Sequence, residues 1–284
     1  MSEAVRLSGI ECSQRMREQL RKRVAELKEQ TSKPVRLAVV QTGENPQGDS
    51  YLKNNVKICG ELGIDTVFVH LPGNVPQQDV LEEIHRLNAD SSVCGILVQL
   101  PLPKHLDEAT VFGAISVEKD VDGVNPLSAG RLLFGHRAFA PCTPSGVMRL
   151  LQEIHYSLDG KHVVILGRSN IVGKPLWVLL LQQNATVTVC HSKTKHLKDI
   201  TKQADLIVSS VGKAKFVTAD MVKEGAVVVD IGINFEGGKL CGDVDYEGVS
   251  AVAGYVTPTP GGTGPMTVTM LAQNVVTAFE QQNL

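Results

Sequence analysis

No apolar run in this 284-residue chain approaches the length of a membrane span, and the polar start Met1-Ser2-Glu3 lacks the apolar core of a signal peptide. Both absences predict a protein that stays in the cytoplasm. An excess of one charge is missing too. A formal net charge of -2 with no dense basic cluster gives no electrostatic case for nucleic acid or an anionic membrane. The cysteines, Cys12, Cys59, Cys94, Cys142, Cys190 and Cys241, are widely spread and form no C-x-x-C pair. That spacing argues against a zinc site or redox dithiol, so no metal is expected and the thiols read as small core residues in a reducing compartment.

The chain does have a regular alternation of strand and helix patterns. Residues 13–30 repeat Met16, Leu20, Val24 and Leu27 among charges at helical spacing, which predicts an amphipathic surface helix. Residues 36–42 read as a buried strand, 43–49 as a loop, 50–63 as a helix closed by a glycine, 65–71 as a strand, 77–89 as a helix and 95–99 as another strand. Alternation resumes with strands at 163–166, 185–190, 206–210, 226–231 and 253–256. The predicted class is α/β with right-handed crossovers and two domains. Residues 1–144 and 267–284 would form one, with a mainly parallel sheet, and 145–266 a Rossmann-like second. A stripe of Val268, Leu271, Val275 and Phe279 predicts a last helix, from about 267, packed back on the first domain.

The stretch 163–175 is a buried strand, a glycine-bounded turn and a helix start, the shape of a phosphate-binding corner. Gly167 and Gly173 permit a tight turn and close approach of a ligand, and the helix from about Gly173 would aim unpaired N–H groups at an anion. Ser169 stands where the common dinucleotide fingerprint has its second glycine, so the motif alone is equally a corner without a ligand. The end of the next strand adds information. A Rossmann fold normally offers an acid there to the ribose 2′-hydroxyl of NAD, but this strand runs into His191-Ser192-Lys193-Thr194. With no acid to repel it, and Arg168 and Ser192 as donors, a 2′-phosphate is welcome and NADP is the better ligand. Lys193 and Lys195 read as solvated surface charge.

Further loops lie at or beyond strand ends. They are Gln99-Leu100-Pro101-Leu102-Pro103, Lys119-Asp120-Val121-Asp122-Gly123, Pro141-Cys142-Thr143-Pro144, placed before a helix, and Pro258-Thr259-Pro260-Gly261-Gly262-Thr263-Gly264-Pro265. Together with the Gly167-Arg168-Ser169 and Val172-Gly173-Lys174-Pro175 stretches and the His191 turn, this series resembles the FolD family of methylenetetrahydrofolate dehydrogenase/methenyltetrahydrofolate cyclohydrolases over nearly the full length. The resemblance implies a folate-binding first domain, an NADP-binding second domain, a cleft at their junction and a homodimer. Tyr51 would stack on the folate, Asp122 would accept hydrogen bonds from the pterin and favour the cationic product, and Gln99 would sit beside the one-carbon bridge. Pro101 and the Pro260-Gly261 backbone would line the folate slot. Arg168, Ser169 and Ser192 would hold the 2′-phosphate region. Gly167, Val172, Gly173, His191 and Gly264 complete the implied NADP contacts.

One departure bears on chemistry. The family places a lysine four residues after the stacking tyrosine, where this chain has Asn55, and a serine three residues before it, where this chain has Gly48. Lys53 is two residues from Tyr51 and falls on another side of the helix. The family lysine is credited with helping water add to the methenyl carbon, and an asparagine has no accessible proton to exchange. Dehydrogenation is therefore expected to survive better than hydrolysis. A competing reading is a folate- and NADP-binding protein that has lost catalysis and acts in regulation or assembly.

Overall fold

A computed structural model describes the backbone of residues 3–44 and 46–284, and the side chains of all of these except 46–51. In chain order the elements are β1 (Val5–Arg6), α1 (Gly9–Thr31), β2 (Arg36–Thr42), α2 (Pro46–Glu61), β3 (Asp65–Leu71), α3 (Gln77–Ala89), β4 (Gly95–Val98), α4 (Glu108–Gly113) and α5 (Pro126–Leu133). The second half adds α6 (Cys142–Glu153), β5 (His162–Leu166), α7 (Gly173–Leu181), β6 (Thr186–Cys190), α8 (Leu197–Thr201), β7 (Leu206–Ser209) and β8 (Val227–Asp230). A hairpin of β9 (Asn234–Glu236) and β10 (Lys239–Cys241), then α9 (Tyr246–Ser250), β11 (Tyr255–Val256) and α10 (Thr263–Asn283) complete it.

The chain divides into two compact units with changeovers at Gln14/Arg15, Cys142/Thr143 and Thr267/Val268. The unit of Arg15–Cys142 and Val268–Leu284 holds a parallel sheet in the order β3-β2-β4. Strand β2 is central, and its alternating side chains serve two cores. Leu37 and Val39 join Leu20, Val24 and Leu27 of α1, Leu52 and Ile58 of α2 and Leu271, Val275 and Phe279 of α10. Ala38 and Val40 join Val80, Ile84 and Leu87 of α3. A strand buried on both faces is what an uninterrupted apolar run with helical crossovers produces. The stripe on α10 thus packs where its spacing predicts.

The other unit carries a parallel sheet in the order β1-β11-β8-β7-β5-β6, the doubly wound arrangement expected from the second alternation. The first residues differ from their expected place. Against the expectation of one domain over 1–144, β1 pairs with β11 and extends this second sheet, with Val5 N–H donating to Gly254 O and Leu7 N–H to Val256 O. Two residues are too few to show a strand period. Helix starts also move. The Pro141-Cys142-Thr143-Pro144 stretch enters the first turn of α6 directly, and α10 begins at Thr263, four residues before the expected start. Both shifts place a proline, Pro144 or Pro265, in a first helical turn, where its missing N–H costs nothing.

Candidate active site

The Gln99 and Asp122 segments are held side by side by the free edge of β4. Ile96 N–H donates to Lys119 O, and a Cβ on Gly95 would lie 2.6 Å from Val121 Cγ1, so the 119–123 segment runs hard against the strand. Gln99 continues β4, its N–H bonded to Val40 O and its Nε2 donating to Leu100 O at 2.9 Å; the Leu100–Pro101 peptide is cis. Lys119, which the sequence presents only as part of a polar turn, is buried and donates its Nζ to Leu87 O at 2.9 Å and Asp90 O at 2.7 Å, closing the last turn of α3.

The two carboxylates of that segment have different work. Asp120 is buried and accepts the N–H groups of Val124 and Asn125, both at 3.0 Å, while Asn125 caps α5 through Leu127 N–H. Asp122 is left outside this scaffold. Burial pushes its carboxyl up to about 7, Cys142 opposes that by hydrogen bonding, and the nearby Asp120 adds to the rise. Asp120 is itself raised to about 6 by burial, against its own backbone donors. From α10, Asn274 Nδ2 donates to Val121 O at 2.8 Å, and Cys142 Sγ lies 3.5 Å from that same carbonyl. A carboxylate in a half-buried wall whose pKa lies close to neutrality can accept from an N–H pair, or sit against a cation, without being neutralised by a lysine or arginine of the protein.

Asn55 stands on the inward stripe of α2, with Leu52, Ile58, Cys59 and Leu62 in the core that also contains Val121 and Cys142. Its exposure is 0%, and neither Oδ1 nor Nδ2 has a hydrogen-bond partner among the described residues. A buried amide left so costs roughly 1–3 kcal/mol per group. Lys53 is exposed and lines a groove with Gln41, Val56, Lys57, Phe68 and His70. It does not stand in for a lysine at 55. The side chain of Tyr51 lies outside the described residues, and Gly48 is described only as backbone of α2.

In the second unit, Leu166 ends β5 beside Cys190, which ends β6, and Gly167 N–H donates to Cys190 O at 2.9 Å. The turns carrying Arg168-Ser169 and His191-Ser192 therefore leave adjacent strands together, with Arg168, Ser169 and Ser192 exposed. Gly167 has φ +121, and a Cβ there would lie 2.5 Å from Ser210 Oγ. At Gly173 a Cβ would meet Gly167 O at 2.4 Å, so both glycines are required by the fold itself. The helix terminus is less open than expected. Val172 and Gly173 donate to Ser169 Oγ at 3.2 and 3.4 Å, Lys174 donates to Ser169 O, and Pro175 has no N–H. Ser169 thus occupies donors that a glycine in the fingerprint would leave free.

The residues fit NADP on two observations. No acid stands at the end of β6, where His191 N–H is turned onto Thr194 Oγ1. At Gly264, in the first turn of α10, no atom lies within 4 Å of where a Cβ would be, so the fold leaves open space there. The loop before it is fixed differently: Gly261 has φ +106, its carbonyl accepts the N–H groups of Gly9 and Ile10, and the Thr259–Pro260 peptide is cis.

Two carboxylates behind this surface were not singled out from the sequence. Asp230, at the end of β8, accepts Gly232, Asp243 and Val244 N–H groups, and burial raises it to about 6. Asp243 accepts donors from the loop after β7 and from Asn234 at the start of β9. The fragments Asp230-Ile231-Gly232 and Cys241-Gly242-Asp243 offered a signal in their glycines: a Cβ on Gly232 would sit 2.2 Å from Asp243 Oδ1, and one on Gly242 1.8 Å from Asp230 Oδ2. Among the described residues no group of three His, Cys, Asp or Glu side chains could hold a metal, and no helix is long and apolar enough to cross a membrane.

The catalytic-domain model of tetrahydrofolate dehydrogenase/cyclohydrolase matches residues 7–122, and the NAD(P)-binding-domain model of the same family matches residues 141–283. Bifunctional protein FolD of Bacillus mycoides is 52% identical over 274 residues, 96% of this chain and 96% of the relative. The solved bifunctional FolD methylenetetrahydrofolate dehydrogenase/cyclohydrolase of Campylobacter jejuni is 46% identical with a TM-score of 0.96, covering 98% of this chain and 99% of that one. The Trypanosoma brucei FolD, solved with NADP cofactor and an inhibitor, is 35% identical with a TM-score of 0.94 over 99% of each chain. Two family models that together span most of the sequence, and relatives matched over nearly their full length, settle the membership: this chain is a member of the tetrahydrofolate dehydrogenase/cyclohydrolase family.

Proposed function

We propose that this chain oxidises 5,10-methylenetetrahydrofolate to the 5,10-methenyl cation with NADP, and that it hydrolyses the methenyl product much more slowly than it forms it. NADP supplies the acceptor for the hydride. Arg168, Ser169 and Ser192 hold its 2′-phosphate side, and Gly167, Val172, Gly173, His191 and Gly264 give backbone contact. Tyr51 stacks on the folate, and Pro101 with the Pro260-Gly261 backbone lines its slot. Gln99 spends an amide N–H on Leu100 O, and its carbonyl oxygen serves the one-carbon bridge. Asp122 accepts from the pterin. Its carboxyl, raised to about 7 in the free protein, ionises more readily as positive charge develops on the product. Alignment of two bound molecules carries most of this reaction, since hydride transfer needs no protein acid or base.

Hydrolysis is different, because water must lose a proton as it adds and the ring nitrogen must gain one on opening. The observation that carries the reading is Asn55, wholly buried with an unpartnered amide at the position of the family lysine. An amide orients water but cannot take or give its proton. One assay tests the proposal. With methylenetetrahydrofolate and NADP, NADPH and the methenyl product accumulate together. NADPH without methenyl would make the chain a full bifunctional enzyme. No turnover with NADPH binding intact would make it a binding protein. The same reading includes a cytoplasmic homodimer, which sedimentation would report at twice the chain mass of 30.6 kDa.

A further inference from the structure

Asp243 is buried at 0% exposure and collects five donors on one carboxylate. Oδ2 accepts Ser209 Oγ at 3.0 Å, Val211 N–H at 2.6 Å and Gly212 N–H at 3.3 Å. Oδ1 accepts Lys213 N–H at 2.9 Å and Asn234 Nδ2 at 2.9 Å. Three successive N–H groups of the turn after β7 therefore point at one side chain, which is what gives that turn its shape. Asp243 is held in its own place by Asp230, whose Oδ1 accepts Asp243 N–H at 3.0 Å. Thr257 and Thr263 fasten Asp230 in turn, through its N–H and its carbonyl. Asp243 thus ties the turn after β7 to the start of β9, and through Asp230 to Thr257 and Thr263.

The 210–213 turn is next to the cofactor corner. Ser210 donates both its N–H, at 2.8 Å, and its Oγ, at 3.2 Å, to Leu166 O, and it is the residue that a side chain on Gly167 would strike. Beyond Ser210, Val211, Gly212 and Lys213 are exposed. The strand order β8-β7-β5-β6 then sets a direction. A dinucleotide with its 2′-phosphate at the turn after β6 and its pyrophosphate at the turn after β5 extends its other half over the ends of β7 and β8.

We propose that Asp243 is a positioning residue for NADP. It never touches the cofactor, but it holds the 211–213 backbone in the form that receives the nicotinamide half. This rests on the NADP reading above. Only an ionised carboxylate offers acceptors on both sides of this cluster. Asp243→Asn keeps the size but turns an NH2 toward either the Val211 and Gly212 donors or the Lys213 and Asn234 donors.

The experiment titrates NADPH by its fluorescence and 2′,5′-ADP, which carries the adenosine half alone, by calorimetry. Wild type and Asp243→Asn are compared, with hydrogen exchange followed at 211–213. In the variant the Kd for NADPH rises about tenfold or more, the Kd for 2′,5′-ADP stays within about twofold, and exchange at 211–213 accelerates. Equal losses for both probes would overturn the proposal in favour of a general structural role. So would an unchanged NADPH affinity with faster exchange. If wild type binds 2′,5′-ADP but not NADPH, or neither, the NADP reading itself fails, a result distinguishable because it appears before any substitution. Should Asp243→Asn not fold, Ser209→Ala removes a single donor and gives the same pattern at smaller amplitude; equal loss of both probes overturns the proposal there too.

Discussion

Asn55 and Asp243 are both polar side chains with no exposed surface, one in each unit, and they differ in what surrounds them. Asp243 has five donors on two oxygens, whereas Asn55 has no partner on either amide atom among the described residues. A fully satisfied buried group rigidifies the backbone that supplies its partners. An unsatisfied one lowers stability until something outside the protein satisfies it. On that ground, under the proposals above, Asp243 acts through the loops it ties together and Asn55 serves the folate site. The pair Asp120 and Asp122 repeats the contrast within three residues: the N–H groups of Val124 and Asn125 go to Asp120, and Asp122 has the Cys142 thiol beside it.

The largest effect that tests this contrast is a gain of function. Asn55→Lys places an amine in a buried site, where desolvation lowers its pKa toward the range useful for moving protons. Methenyltetrahydrofolate hydrolysis is expected to rise about 100-fold, while NADPH formation changes far less. The measurement is decay of methenyl absorbance in enzyme from which NADP has been removed. If the rate does not rise with lysine and does not fall with Asn55→Ala, position 55 has no part in hydrolysis, and its buried, unpartnered amide is not a ligand group.

A smaller effect separates the two aspartates. If the ionised form of Asp122 favours the cationic product, kcat/KM for methylenetetrahydrofolate rises about tenfold per unit of pH below 7 and levels off above it, since a raised pKa leaves the carboxyl protonated in acid. Asp122→Asn removes the limb and lowers the plateau. A limb that persists in Asp122→Asn would assign the titration to another group. Asp120 also titrates high, at about 6, but serves folding. For a carboxyl raised in the folded state the linked stability is present at low pH and lost as pH rises through the folded value, so Asp120 adds to a fall in stability between about pH 4 and 6 and adds no rate limb.

Much of this architecture was legible in the chain. The strand at 36–42, the helix at 77–89 and the acid-free turn at His191 lie where apolar runs, helical spacing and the missing carboxylate place them, because each is set by its own neighbours in sequence. The unread parts depend on partners far along the chain. Strand β1 is two residues whose only signature is β11, some 250 positions later. Asp243 draws its donors from Ser209 to Lys213 and from Asn234, and the glycine beside it marks a close approach without saying which donors those are. The 163–175 corner departs in the other direction. Its glycine-bounded turn and helix start predict unpaired N–H groups near Gly173, but the oxygens of Ser169 take them.

The smallest expected effect sharpens the comparison where it began. Leucine has the branching of asparagine without its polar atoms, so Asn55→Leu removes two unsatisfied groups from the Leu52, Ile58 and Cys59 face. Stability of the ligand-free protein is expected to increase by about 1 kcal/mol, read as a higher urea midpoint at unchanged slope. Affinity for tetrahydrofolate falls in the same variant. The opposite substitution in the other unit, Asp243→Leu, destabilises, because it leaves the N–H groups of Val211, Gly212 and Lys213 without an acceptor. A leucine that stabilises at 55 and destabilises at 243 is the result that a ligand-facing amide and a loop-holding carboxylate require. If Asn55→Leu instead lowers the midpoint, the amide is satisfied in the free protein, and the distinction between the two buried groups fails at its first member.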